Sequence, residues 1–223
     1  MQTVTKQKNI QKLSIQKLLS YLQFLESPQG FVYASDTKFH RLFGRDSVIT
    51  SLELLHWYPD CAKNTIIALA KLQRENGQII HEIPNKNTMW DSLDSTPLFL
   101  VLISEYYNET NNTELIKKLL YRIKKAISWI ENVGDSDNDG ILEYYADPKG
   151  LFNQCWKDSR DGITTEKKEY PQYPIAPSEI QGYLYKAYIG IANIYNHLEH
   201  NEKADILNKK AKDIKKNSMK NFG

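Results

Sequence analysis

With 223 residues the chain is long enough to bury one good-sized core, and no stretch of it reads as a linker between two domains. Its 29 Lys and Arg against 27 Asp and Glu leave a net charge of +2, too balanced to imply a nucleic-acid partner. Two cysteines, Cys61 and Cys155, fit neither a disulfide framework nor a metal-ligand spacing; with no signal-peptide core and no membrane-length apolar run, the expectation is a cytoplasmic protein that binds no membrane.

From Asn9 to Glu26 the residues Ile10, Leu13, Leu18, Leu19, Leu22 and Leu25 recur at helical spacing, closed by Pro28 and Gly30. An aromatic-rich loop, FVYASDTKFHRLFGRDS, leads into a second predicted helix, Asp46 to Tyr58. After Pro59 a third runs from about Asp60 to Asn76, with Gly77 as its stop signal. The loop QIIHEIPNKNTMWDSLDSTP is long for a plain connection, and loops of that length are usually functional or disordered. Asp94 and Ser95 offer caps and Pro97 suits a first turn, so a fourth helix follows through Tyr107.

A fifth helix, Thr113 to Asn132, carries the stripe Leu115, Leu119, Leu120, Ile123, Ala126, Ile127 and Ile130. GDSDNDGILEYY turns the chain, and Asp147 to Pro177 reads as loop. Ser178 opens a helix that is apolar nearly all round, with Gln181 as the second half of a capping box. The last helix, Asn201 to about Met219, has a narrow stripe through Ala204, Leu207, Ala211 and Ile214, and its lysines read as a solvated face. Nothing reads as a strand ladder, so the fold class is all-α. Helices apolar on several faces alternate with helices that have one charged face, which predicts hairpins in two layers with the chemical loops at one end.

The richest stretch is Phe152 to Gly162, FNQCWKDSRDG. Trp156 offers a face for the CH surface of a pyranose, while Asn153, Gln154, Ser159 and Arg160 offer hydrogen bonds to its hydroxyls. Asp158 could lend a proton to a glycosidic oxygen. The bland alternative is a polar loop capped by its own Asp and Ser. In FGRDS, Arg45 and Asp46 either grip sugar hydroxyls or pair and cap the helix. Trp90 and Asp94 repeat the pairing of aromatic and carboxylate, although an N-cap is the expected main role of Asp94. Glu179 enters the first turn of a helix, where the dipole favours a carboxylate. His81 and Glu82 supply too few ligands for a metal site. Asp135, Asp137, Asp139 and Gly140 begin a calcium-type loop with Glu143 ninth, but the twelfth position is Ala146 where a bidentate Glu belongs; a tight Asx-rich turn is the expected reading.

Four runs, FGRDS, the HEIP to DSTPLF loop, WKDSRDG and PIAPSEIQGYLY, together resemble the glucosidase domain of glycogen debranching enzymes, the amylo-alpha-1,6-glucosidase family, over about Leu13 to Phe222. That family is similar to glucoamylase and trehalase. The resemblance implies an (α/α)6 toroid and inverting hydrolysis of an alpha-glucan or oligosaccharide, with Asp158 as general acid and no cofactor. Trp156, Lys157, Arg45, Asp46 and Glu179 fall on glucose-subsite positions, and Asp161 is the alternative acid. The family's base is a Glu from a late loop, beyond the point where this chain ends, and about seven of twelve helices are counted. The expectation is therefore an incomplete toroid that associates with itself or with a complementing C-terminal chain. The rival is a carbohydrate-binding or interaction module that does not turn over.

Overall fold

The computed structural model describes residues 17, 20–22, 24–83, 89–145 and 150–221. Six α-helices carry them: α1 (Asp46–Leu54), α2 (Pro59–Leu72), α3 (Ser95–Thr110), α4 (Thr113–Trp129), α5 (Ser178–His197) and α6 (Asn201–Asn221). A π-helical turn, Ile130–Gly134, extends α4. Among the described residues extended pairing is confined to isolated bridges, so the fold is all-α. No helix of the described residues is long and apolar enough to cross a membrane. Of the residues that define the first predicted helix, Ile10, Leu13, Leu18 and Leu19 lie outside the described residues; residues 17 and 20–22 are helical, but Leu25 is in a turn and Glu26 in a bridge, so the helix does not run to Glu26.

The odd-numbered helices form a row, α1 against α3 and α3 against α5, while α2, α4 and α6 each pack on the helix that precedes them. Burial follows this division. Every residue of α3 from Ser95 to Ser104 is buried, whereas α4 buries only Ile116, Leu119, Ile123, Ala126 and Trp129. The second pattern is one stripe at three- and four-residue spacing, as a helix with a single covered face requires. One cluster of buried residues runs from Phe31 to Ile214.

Several boundaries depart from the sequence reading. Pro59 is the first residue of α2 and disfavours helix at Tyr58, and α1 stops at Leu54 rather than Tyr58. Gln73 turns extended at the end of α2, and its side-chain amide donates to the carbonyls of Gly77 (2.9 Å) and Arg122 (3.0 Å). Gly77 is thus a turn residue with φ +104, not the helix stop. The capping box at α5 is not formed. Pro177 precedes the helix without a side-chain cap, and Gln181 instead accepts from Leu142 N (2.9 Å) and donates to Leu142 O (2.7 Å). The amide pairs like a strand with the turn before it.

Candidate functional site

The site is built outward from Gly44. Its amide donates to the carbonyl of His81 (2.8 Å), and a Cβ there would lie 2.0 Å from the carbonyl oxygen of Ile80 and 2.5 Å from Ser95 Oγ. Only glycine lets the two loops touch. Bridges between Phe43 and Glu82 and between Glu82 and Met89, with an ion pair from Arg41 to Glu82 (2.9 Å), tie the His81 segment to the mouth of α1. Glu82 is therefore already paired with a cation.

This strap presents Arg45. Its Nη1 donates to Asp94 Oδ2 and to the carbonyl oxygen of Cys155, both at 3.0 Å, and its Nη2 donates to Asp158 Oδ2 at 3.1 Å. Asp46 Oδ2 stands 3.9 Å from Nε. One guanidinium thus joins residues 49, 110 and 113 positions away along the chain. Its side chain is 12% exposed, those of Asp158 and Asp46 41% and 42%, and Asp94 is closed to solvent. Burial lowers the affinity of the guanidinium for its proton, but Asp94, Asp46 and Asp158 more than offset that, and its pKa rises.

The loop that carries Asp158 is held from beneath. Asn153 is buried, accepts from Tyr144 Oη (2.9 Å) and Tyr170 Oη (2.8 Å), and donates to the Ser159 carbonyl (2.6 Å). Leu93 N donates to the Gln154 carbonyl (2.9 Å). Asn153 therefore anchors the loop and is not open to a ligand. Trp156 is 54% exposed, with Lys157 Nζ 5.6 Å from its ring centre. Asp161 is exposed at the turn closed by Gly162 N to Ser159 O and takes no part in the pairing around Arg45.

Asp94 is corrected as a helix cap: it makes no capping bond to α3, and its oxygens face Arg45 and Ser92 Oγ. Enclosed there, it reaches a ligand only through Arg45. Asp46 is likewise no cap; it is the first residue of α1, whose start is tied by Ser47 Oγ accepting from Phe43 N (3.3 Å) and donating to the Val32 carbonyl (2.7 Å). Trp90 packs on the core with Arg74 5.2 Å from its ring centre, so a cation covers the ring expected to stack on sugar.

Glu179, in the first turn of α5, has Oε1 enclosed without a hydrogen-bond partner. It lies against Cys155, whose thiol is pushed up to about 12, first by burial and then by Glu179 and Asp94. Tyr183, one turn further along α5, is raised by burial and by the same two carboxylates. Its spacing of four from Glu179 was the available signal for it. The Cys155 carbonyl had none, because a backbone acceptor leaves no trace in residue type. His81 is 3% exposed, its Nδ1 has no partner, and its pKa is lowered by burial and then by Arg45.

Away from Arg45, oxygens of Asp135, Asp137, Asp139 and Glu143 lie within 4.8 Å of one another, and among the described residues this group could hold a metal ion. They also serve the Asx turns expected there. Gly140 N donates to Asp135 Oδ2 (3.0 Å), Asp139 N to Asp137 Oδ1 (3.1 Å) and Ile141 N to Asp139 Oδ1 (2.7 Å). Ala146, the twelfth loop position, lies outside the described residues.

Four hollows on the described surface have volumes of about 520, 410, 230 and 370 Å³; Arg45, Asp158 and Glu179 line none of these four. The surface at Arg45 brings both signs of charge beside an aromatic ring. It offers a fixed cation, two half-exposed carboxylates, an exposed indole and an adjacent lysine, a set suited to hydroxyl-rich ligands. Compared with models of known protein families, and with curated proteins, the chain matches none.

Proposed function

We propose that the chain is a glycan-directed protein of the glucosidase type, the leading part of an (α/α)6 toroid, in which Asp158 protonates the departing oxygen of an alpha-glucosidic bond. The observation that carries this reading is the meeting of three sequence runs, GRDS, DSTP and CWKD, on the guanidinium of Arg45, with Trp156 and Lys157 exposed beside it. Arg45 and Asp46 grip adjacent hydroxyls, Trp156 stacks on the sugar face, and Lys157 and Glu179 close the subsite.

Inversion requires a second carboxylate roughly 6.5–9.5 Å from the acid to activate water. In this reading it comes from a later part of the toroid than these residues cover, and the chain associates with itself or with a complementing C-terminal chain. The flank of α5 supports such association: nothing lies within 4 Å of a Cβ placed on Gly182, Tyr185 is 37% exposed, and the hollow of about 370 Å³ there is bounded by Ile214 and Met219. Sedimentation over a range of concentrations tests this, and a monomer throughout that also ignores a supplied C-terminal toroid fragment removes it.

The second reading is a carbohydrate-binding module without turnover. It is favoured by the ion pair of Asp158 with Arg45, because an ion pair uses the carboxylate form whereas a general acid must carry the proton. Release of glucose from a branched limit dextrin, lost in Asp158→Asn, supports the enzyme. Saccharide binding without release supports the module, and calorimetry showing no binding of maltose or glucose overturns both.

A further inference from the structure

A trough lies between α2 and α4. The two helices are stitched where Gln73, at the end of α2, donates to the Arg122 carbonyl (3.0 Å) and Lys125 pairs with Glu75 (2.9 Å). Beside that stitch is the hollow of about 520 Å³. Ile67 and Ala70 from α2 and Leu115 and Leu119 from α4 give it an aliphatic lining, and Ile67 and Leu115 are only half-buried. Lys63 and Lys71 on α2 and Lys118 and Arg122 on α4 also line it. Among the described residues, Glu114 is the one acid of that lining.

Four cations against one carboxylate is a local excess larger than the +2 of the whole chain. Lys118 is paired with Glu114 (2.6 Å) and Lys63 with Asp60 (3.5 Å) at the surface. Lys71 and Arg122 enter no ion pair among the described residues, and Glu75, close enough to feel the charge of Arg122, is taken by Lys125. The hollow of about 410 Å³ has the reverse balance, with Glu131, Asp135, Asp139 and Asp213 against Lys210 and Lys216. The hollows of this surface therefore differ in the charge they invite.

An occupant of the trough must cover aliphatic side chains and carry negative charge. Three candidates meet only one of these demands. Nucleic acid brings charge, but the lining has no aromatic ring for a base to stack on. The acidic turn of a second copy brings carboxylates, but its Ile141 and Leu142 are buried in its own core. Residues 1–16 of the chain bring leucine and isoleucine, but with Lys6, Lys8 and Lys12 and no acid. From Lys63 to Lys71 the rim follows α2 for about two turns, about 12 Å. We infer that the trough is a docking groove for an acidic amphipathic helix of a partner protein, whose apolar stripe lies on Ile67 and Leu115 and whose carboxylates meet Lys71 and Arg122. The inference uses no residue around Arg45 and holds whichever function that site serves.

The probe is a fluorescein-labelled peptide of Glu and Ala with Leu at helical spacing, about 16 residues long so that it can hold a helix. Fluorescence anisotropy with the whole chain is expected to show binding that weakens as salt is raised. Lys71→Glu combined with Arg122→Glu is expected to weaken it at least about tenfold, while Lys209→Glu combined with Lys212→Glu, at exposed positions of α6, leaves it unchanged. On the wild type, replacing the Leu of the peptide by Ala, or its Glu by Lys, is expected to abolish binding; these two arms need no altered protein, so misfolding cannot mimic them. Equal binding of the Leu-free peptide reduces the trough to a cationic patch and overturns the inference, as does a loss of the same size in the α6 variant. A single-stranded oligonucleotide that binds more tightly than the peptide, and is lost in Lys71→Glu with Arg122→Glu, gives the trough to nucleic acid instead. A wild type that ignores the peptide and sediments as a salt-sensitive oligomer gives it to a second copy, and a wild type that ignores the peptide as a monomer leaves no docking groove.

Discussion

Two groups of carboxylates stand in this chain and are held by contrasting means. Around Arg45, Asp46, Asp94 and Asp158 come from separate segments to one mostly buried cation. In residues 135–143, four carboxylates from one turn crowd together and each accepts from donors of the turn itself, chiefly backbone amides and Ser136, with Asp135 Oδ1 left enclosed without a partner. The first group exists only when distant parts of the chain have assembled; the second can form as soon as the local turn closes. The contrast shows that crowded acids by themselves say little about a site, and that what neutralises them decides how much of the fold they depend on.

The largest expected effect comes from removing the shared cation. Arg45→Met leaves Asp94 enclosed without a partner charge, and such a loss costs about 3–5 kcal/mol. Asp158→Asn should cost no more than about 1 kcal/mol, because that pair is half exposed and screened. Urea unfolding measures both. Equal losses would mean that the two arms of Arg45 are not unequal in strength and would break the comparison.

A smaller effect is expected where the acidic turn meets the rest of the fold. Gln181 satisfies both backbone groups of Leu142 at the trailing end of that turn. Gln181→Ala strands two buried backbone groups and should cost about 1–3 kcal/mol in the same unfolding experiment. No measurable loss would show that the turn is held by its own bonds alone.

The smallest effect is a dependence on pH with opposite signs in the two regions. Burial, followed by its acidic neighbours, raises the pKa of Glu143 above its ordinary value of 4.5, and Asp135 is raised likewise from 3.8. As pH falls toward those ordinary values the folded chain takes up these protons before the unfolded chain does, so this region gains stability. His81, lowered from 6.5 by burial and by Arg45, behaves in the reverse sense. On acidification through 6.5 the unfolded chain binds that proton first, and stability is lost. Urea midpoints between pH 4.5 and 7.5 should therefore change slope in opposite directions in Glu143→Gln and His81→Leu; parallel changes would show that neither group titrates in the way its surroundings require.

Much of the helical layout was legible because burial imposes a period. α4 shows one stripe and α3 carries an unbroken apolar run from Pro97 to Ile103, and their ranges were read to within a few residues. Capping assignments, unlike the helix starts they belong to, went wrong where a side chain found a partner far along the chain. Gln181 looked like half of a capping box because sequence spacing cannot reveal that Leu142 offers it a better pair of bonds. Asp94 looked like a cap for the same reason, since nothing near it in sequence announces an arginine 49 positions earlier. The residue types at the candidate site were visible as a mixture of acid, base and aromatic, but the enclosed role of Asn153 and the carbonyl of Cys155 were not.

The sequence by itself determined where helices form and which faces they bury, because those depend on neighbours three and four positions away. It also determined the acidic turn, whose amides and carboxylates are close along the chain. Only the tertiary structure decided which acids share a cation, which of them stay open to solvent, and which indole is free to stack. Those outcomes depend on contacts between residues 49 to 113 positions apart, and a local pattern holds no record of such distances.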